Sequence, residues 1–141
     1  MNTQTLINEH AATQTRFDKV LLIDDNPMDN LINKKIVAST QFASNAISYE
    51  SATEALCYLE NENPERLPEL IFLDINMPGM DGFQFLEAFE KLPEAVHAKC
   101  KIIMLSTSES FKDLNRANKN PFVRKFLNKP LTDPVLKAIQ I

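Results

Sequence analysis

The chain has 141 residues, of which 44% are hydrophobic and 24% are charged, and it carries a formal net charge of -4 at pH 7. This length suits one globular domain with its own core. The acidic balance argues against a nucleic-acid partner, and no apolar stretch approaches the roughly 20 residues of a membrane span. Two cysteines, Cys57 and Cys100, make no disulfide framework, so we expect a reducing, cytoplasmic location.

After a polar and aperiodic start, apolar runs of strand length alternate with segments of helical period. We therefore expect a flexible arm at residues 1–16 and a single domain of βα units at residues 17–141. In chain order, the predicted elements are a strand at Lys19–Asp24, a helix at Met28–Ser39, a strand at Ala46–Tyr49, a helix at Ser51–Glu60, a strand at Leu70–Asp74, a helix at Phe83–Lys91, a strand at Lys101–Leu105, a helix at Glu109–Asn118, a strand at Arg124–Asn128 and a helix at Thr132–Gln140.

Two of the predicted helices carry distinct apolar faces. In the first helix, Leu31, Ile32 and Ile36 share one face at helical spacing. The fourth helix has a sparse apolar stripe, which predicts that it is held loosely. That stripe consists of Phe111, Leu114 and Ala117.

Polar side chains end several of the predicted strands, and they include Asp24, Asp25, Asp74, Ser106 and Lys129. In an open α/β sheet, ligands gather at the carboxyl ends of the strands. If the strand order is 2-1-3-4-5, the first and third strands are neighbours and the three carboxylates converge. Carboxylates in apolar surroundings need a compensating cation, which Lys129 or a divalent metal would supply. A few protein oxygens plus water suit Mg²⁺ better than Ca²⁺.

These motifs resemble the receiver domain of two-component response regulators. The resemblance is carried by LLIDDN, FLDINMPGMDG, the Ser106 of IIMLSTS and the lysine-proline pair of FLNKPL, and it covers residues 17–141. It implies a flavodoxin-like, doubly wound, five-stranded parallel sheet of order 2-1-3-4-5 with helices on both faces. We expect no output domain, and hence a stand-alone receiver.

The resemblance also implies a role for each residue at the strand ends. Asp74 would be the phosphoacceptor. Asp25, Asp74 and the backbone carbonyl of Asn76 would hold Mg²⁺, with Asp24 nearby. Lys129 would pair with the phosphoryl oxygens, and it would precede a cis peptide bond to Pro130.

Two further residues would form a switch. Ser106 would hydrogen-bond the phosphoryl group, and Phe126 would turn inward as Ser106 moves. Simpler interpretations remain open at this stage. Asp24 and Asp25 could merely cap the first helix, Thr107 competes with Ser106, and Phe126 could be a packing residue.

The predicted function is a phosphorylation switch, not an enzyme beyond self-catalysed phosphoryl acceptance and loss. The expected partners are a histidine kinase or histidine phosphotransfer protein and a downstream effector protein. The fourth helix, the fifth strand and the last helix would form the partner face. An alternative is a phosphorelay carrier that passes the phosphoryl group to a histidine phosphotransfer protein. A small Mg²⁺-dependent aspartyl phosphatase is remote, because its usual DxD motif needs an aspartate where Asn76 stands.

Overall fold

The computed structural model describes residues 15–107 and 111–140 as a single sheet with helices around it. The strands are β1 (Phe17–Ile23), β2 (Ala43–Tyr49), β3 (Leu70–Asp74), β4 (Lys101–Ser106) and β5 (Val123–Asn128). The helices are α1 (Pro27–Ser39), α2 (Ala52–Asn61), α3 (Gly82–Glu90), α4 (Glu94–Lys99), α5 (Phe111–Asn118) and α6 (Asp133–Ala138), with a 3-10 turn at Pro64–Arg66. Within these described residues, no helix is both long and apolar enough to cross a membrane.

All strand pairings are parallel, and the order is β2-β1-β3-β4-β5, as predicted. The sheet is a flavodoxin-like, doubly wound sheet. Its register places Asp74 opposite Leu105 and Ser106 opposite Asn128, so β1, β3, β4 and β5 end near one another. We call that edge the carboxyl end of the sheet and the opposite edge the amino end.

Alternating side chains of the central strands enter two separate cores. On one face, Leu73 and Met104 pack with residues of α2, α3, α4 and α5. On the other face, Phe72 and Ile103 pack with residues of α1 and α6. Because strands buried on both faces cannot alternate with polar residues, β3 is buried throughout, which agrees with its continuous apolar sequence.

The apolar face predicted for α1 is only partly its buried face, because Ile36 packs against the core but its two companions do not. Leu31 and Ile32 are 46% and 47% exposed, whereas Asn30, Asn33 and Val37 are buried. The side-chain amide of Asn30 donates to the backbone carbonyl of Asp24 over 2.8 Å. This bond turns the helix so that its polar Asn residues face the sheet.

Two other sequence predictions need correction. Phe111, assigned to the apolar stripe of α5, is 79% exposed, and only Ala117 of that helix is buried. The short helix α4 was missed, because only its Val96 is buried and no side chain caps its start. The start predicted for α5, at residue 109, lies outside the described residues.

Two residues that the sequence analysis assigned to the arm pack on the domain. Residues 1–14 lie outside the described part of the chain, but Thr15 and Arg16 belong to the domain. Thr15 donates to the carbonyl of Phe17. The guanidinium of Arg16 donates to the carbonyls of Leu136 and Ile139 at distances of 2.9 and 2.5 Å.

A tight turn follows β3 and fixes the distance between that strand and α3. Gly79 has a φ of 78°, as the third residue of a type II turn requires. At Gly82, an added Cβ would lie 2.8 Å from the carbonyl oxygen of Asp74 and 2.9 Å from Cα of Ile75. Glycine is therefore needed at position 82 for close approach and at position 79 for its dihedral angle.

Candidate functional site

Three carboxylates converge at the carboxyl end of the sheet, as the strand order predicted. One carboxylate oxygen each from Asp24, Asp25 and Asp74 lies within 4.8 Å of the others. Asp24 directly follows β1, and Asp74 is the last residue of β3. Asp24 and Asp74 are only 3% and 5% exposed, whereas Asp25 is exposed.

The cap of α1 is formed by Asn26, not by either aspartate. The Asn26 side chain accepts hydrogen bonds from the backbone N–H groups of Met28 and Asp29, and Pro27 occupies the first helical position. Asp24 instead accepts a hydrogen bond from the backbone N–H of Asn26 over 3.0 Å. Simple helix capping therefore does not explain the acidic pair.

Lys129 brings a positive charge to these carboxylates from the end of β5. Its Nζ lies 2.5 Å from Oδ2 of Asp24 and 3.5 Å from Oδ1 of Asp74. The Lys129–Pro130 peptide bond is cis, as predicted. The same ammonium also lies 3.2 Å from Oδ2 of Asp29 in the first turn of α1. Lys129 therefore has a carboxylate for each of its three N–H donors.

The electrostatics of the cluster are unbalanced. Burial, followed by repulsion from Asp24, raises the pKa of Asp74 to about 6, although Lys129 and the backbone N–H of Asn76 oppose this change. Burial alone would lower the pKa of Lys129, but its hydrogen bond to Asp24 and its attraction to Asp74 hold that pKa above the ordinary value. Lys129 thus remains cationic, and a second cation would be needed to compensate the carboxylates fully.

The proposed switch residues lie on neighbouring strands. Ser106 ends β4 and is fully buried, whereas the neighbouring Thr107 is exposed, so Ser106 is the inward hydroxyl of the two. The backbone carbonyl of Ser106 accepts a 2.8 Å hydrogen bond from the backbone N–H of Lys129, which ties the two ends together. Phe126 is half-buried on β5, opposite Met104, and packs against the core on the α3 side of the sheet.

Asp29 was not identified from the sequence, although its position contained a signal. It lies four residues after Asp25, in the first turn of α1. An acidic residue in a first helical turn is ordinarily explained by the helix dipole. Its contact with Lys129 joins residues 100 positions apart, so it could not be predicted from local sequence.

The sequence matches the response regulator receiver domain family over residues 20–140. Because the match covers most of the chain, the protein belongs to this family and is a receiver domain of two-component signalling. Receiver domains are generally switches without a separate enzymatic activity. They generally bind Mg²⁺ at an acidic pocket and interact with histidine kinases or phosphotransfer proteins.

Several known proteins are similar to this chain. The two-component response regulator ORR1 of Oryza sativa subsp. japonica is 27% identical over 117 residues, which cover 80% of this chain and 49% of that protein. The probable methanogenesis regulatory protein FilR2 of Methanothrix harundinacea is 31% identical over 120 residues, covering 84% of this chain and 76% of that protein. A solved two component response regulator from Cytophaga hutchinsonii has a TM-score of 0.78 and 31% identity, covering 86% of this chain and 92% of that one. The chain spans about half the length of the rice relative.

The residues present fit a magnesium ion. The cluster offers three carboxylates within 4.8 Å, and the single nearby lysine leaves the pKa of Asp74 elevated. Hard oxygen ligands with one exposed side, here at Asp25, suit Mg²⁺ because that ion retains several of its waters. The site therefore has the chemistry of an acidic pocket that suits a divalent cation.

Proposed function

We propose that this protein is a phosphorylation-dependent signalling switch that accepts a phosphoryl group on Asp74 from a phosphohistidine donor, with Mg²⁺ as cofactor. The observation that carries the proposal is the position of the Asp74 carboxylate. It lies 3.5 Å from Nζ of Lys129 and within 4.8 Å of the carboxylates of Asp24 and Asp25. A nucleophile between a lysine and an oxygen-rich metal site is the arrangement that phosphoryl transfer requires.

In the proposed reaction, a carboxylate oxygen of Asp74 attacks the phosphorus atom. The bond between phosphorus and the donor's imidazole nitrogen breaks, and its electron pair returns to the ring. Lys129 holds a phosphoryl oxygen from one side. Asp24, Asp25, Asp74 and the backbone carbonyl of Asn76 would hold the metal, which would neutralise charge on the phosphoryl oxygens.

Ser106 and Phe126 are the proposed read-out of the phosphorylated state. The aspartyl phosphate adds about 1.5 to 2 negative charges and new acceptor oxygens. The Ser106 hydroxyl moves toward these oxygens, and Phe126 turns inward into the space that this movement frees. The altered surface is then formed by α5, β5 and α6, where Phe111 is 79% exposed and Arg124 is exposed. An effector protein would bind there.

The exposed apolar face of α1 is the proposed docking surface for the phosphohistidine donor. Met28, Leu31 and Ile32 are 58%, 46% and 47% exposed. They lie on the helix that begins directly after Asp25 and Asn26, next to the phosphoacceptor site. A donor whose histidine reaches Asp74 must pack against this side of the domain, and an apolar helix face suits a partner that presents a helix.

The central test is phosphorylation by acetyl phosphate with Mg²⁺, followed by intact-mass spectrometry. We expect the wild type to gain one phosphoryl group and Asp74→Asn to gain none. Asp18→Asn makes the same chemical change on an exposed residue of β1 and should be labelled like the wild type. Equal labelling of Asp74→Asn and wild type would contradict the assignment of Asp74.

Donor docking is tested by comparing two phosphoryl sources. Leu31→Ser should slow transfer from a phosphorylated histidine phosphotransfer protein but leave labelling by acetyl phosphate unchanged. Phe111→Ser, at the other exposed apolar position, should slow neither reaction. Equal slowing of both sources by Leu31→Ser would mean that Leu31 acts on the site itself and not on docking.

The carrier alternative uses the same site and the same α1 face, since transfer between histidine and aspartate is reversible in chemical principle. Phosphorylated protein incubated with a histidine phosphotransfer protein decides between them. Loss of label from Asp74 with gain on the partner's histidine identifies a carrier, and retention of the label identifies a switch.

A further inference from the structure

We propose that Asp29 is a positioning residue for Lys129, that the phosphoryl group displaces Asp29 from Lys129, and that this competition weakens phosphoryl binding at Asp74. This inference rests on the proposed function of Asp74 and adds a competitor to it. The contact that carries it is the 3.2 Å hydrogen bond from Nζ of Lys129 to Oδ2 of Asp29.

Lys129 has a fixed number of hydrogen-bond donors. A lysine ammonium has three N–H groups and no more. In the unphosphorylated protein, Lys129 faces Asp24 at 2.5 Å, Asp29 at 3.2 Å and Asp74 at 3.5 Å. A phosphoryl group on Asp74 adds oxygens that compete for the same three donors. Hydrogen bonds to Asp24 and Asp29 already use two of these donors, so a phosphoryl group that takes more than the donor facing Asp74 displaces one of these two partners.

The three carboxylates around Lys129 differ in their exposure to solvent. The side chains of Asp24 and Asp74 are 4% and 7% exposed, whereas that of Asp29 is 37% exposed. A buried carboxylate that loses its cation is left without hydration, which is strongly unfavourable. Asp29 can instead turn toward water, so it is the partner that gives way.

The displacement of Asp29 from Lys129 costs free energy. Because Asp29 and a phosphoryl oxygen compete for one donor, the attraction between Asp29 and Lys129 must be overcome whenever phosphate is added. The Asp29 carboxylate therefore favours the unphosphorylated state. Its position on α1, the helix proposed to dock the donor, places this competitor beside the incoming phosphohistidine.

The test uses beryllofluoride, which binds a carboxylate oxygen with the shape and charge of a phosphoryl group. Its affinity is measured by fluorine NMR at saturating Mg²⁺, so that any change in metal affinity does not contribute. We expect Asp29→Asn and Asp29→Ser to bind it about threefold more tightly than the wild type, the effect of losing one partly exposed ion pair. Asp29→Glu, which retains the charge, should return the affinity toward that of the wild type.

Asp18→Asn serves as the matched control, because it removes one negative charge at the other end of the sheet, and it should leave the affinity unchanged. A merely structural role for Asp29 would not produce tighter binding in two different neutral variants and its reversal by glutamate. Equal or weaker binding by both neutral variants overturns the inference. Failure of the wild type itself to bind beryllofluoride would instead contradict the proposed function of Asp74.

Discussion

The two ends of the sheet differ in how their charged side chains are compensated. At the carboxyl end, three carboxylates contact one lysine, and a fourth, that of Asp25, lies within 4.8 Å of two of them. Burial and repulsion raise the pKa of Asp74 to about 6. At the amino end, cationic side chains bind backbone carbonyls. Arg16 donates to the end of α6, Lys19 to Arg66, Lys99 to Glu65, and Lys101 to Ala98 at the end of α4.

The amino end has the arrangement expected of a stabilising feature. Cations near the ends of helices satisfy unpaired carbonyls and interact favourably with the helix dipole. The guanidinium of Arg16 also lies 5.4 and 5.3 Å from the ring centroids of Phe17 and Phe42. The carboxyl end lacks such compensation. The difference indicates that the amino end contributes stability, whereas the carboxyl end leaves a buried carboxylate incompletely compensated, as the phosphoacceptor role proposed for Asp74 would require.

The largest expected effect concerns the close packing beneath the carboxylates. Gly82→Ala places a Cβ 2.8 Å from the Asp74 carbonyl oxygen and 2.9 Å from Cα of Ile75, both backbone atoms that cannot easily move. We expect a loss of about 3 kcal/mol in the free energy of unfolding, measured with urea. Gly79→Ala is the control: it has open space but a φ of 78°, so it should lose only about 1 kcal/mol. Equal losses would show that close approach at Gly82 is not limiting.

The next effect is a pH dependence that arises from Asp74. The pKa of this group rises from 3.8 to about 6 on folding, so the unfolded chain releases the proton first as pH increases. In EDTA, Asp74 should therefore destabilise the protein increasingly between about pH 4 and pH 7, by on the order of 3 kcal/mol.

Asp74→Asn removes this titration. Its free energy of unfolding should exceed that of the wild type by an amount that grows with pH over the same range, and Mg²⁺ should reduce the difference by stabilising the wild type. A constant difference between the two proteins from acidic to neutral pH would contradict the uncompensated charge proposed for the carboxyl end.

A smaller effect of the opposite sign is expected at the amino end. Arg16→Ala removes two hydrogen bonds to the end of α6 and the contacts with the Phe17 and Phe42 rings. Since Arg16 is partly exposed, we expect a loss of about 1 kcal/mol in urea unfolding at neutral pH. Arg16→Lys should lie between Ala and wild type, because an ammonium cannot make the same two-pronged contact. A stability unchanged by Arg16→Ala would remove the contrast between the two ends.

The smallest expected effect is at an exposed ion pair of α6, and it tests whether surface charge alone contributes to stability there. Lys137 pairs with Asp133 at 3.1 Å, but these side chains are 74% and 44% exposed. Lys137→Ala should change the free energy of unfolding by less than about 0.5 kcal/mol, because exposed pairs are screened by water. A loss as large as that of Arg16→Ala would mean that general charge near α6, and not the bonds to its carbonyls, accounts for the Arg16 effect.

Much of the fold was predictable because burial leaves a local pattern in the sequence. The continuously apolar Leu70–Asp74 segment has the predicted bounds, and the parallel order β2-β1-β3-β4-β5 is confirmed. The strand-end residues Asp24, Asp25 and Asp74 meet because parallel strands bring their carboxyl ends to one edge. The magnesium, phosphoacceptor and switch roles of the site residues stay predictions, as does the cytoplasmic location.

What could not be predicted depends on contacts between distant segments. Helical period correctly grouped Leu31 with Ile32 but could not say which side of α1 would face the sheet. That choice is made where Asn30 binds the carbonyl of Asp24. Likewise, α4 has one buried residue, Val96, and too little apolar surface to be distinguished from a loop.

The sequence by itself determined the order of strands and helices and the polar residues that end them, because each depends on neighbours along the chain. Only the tertiary structure decided that Asp29 shares Lys129 with Asp24 and Asp74, and that Arg16 binds the end of α6. The contact of Lys129 with Asp29 joins residues 100 positions apart, and that of Arg16 with Leu136 joins residues 120 positions apart. Their formation depends on the final packing of the helices on the sheet, which no local period encodes.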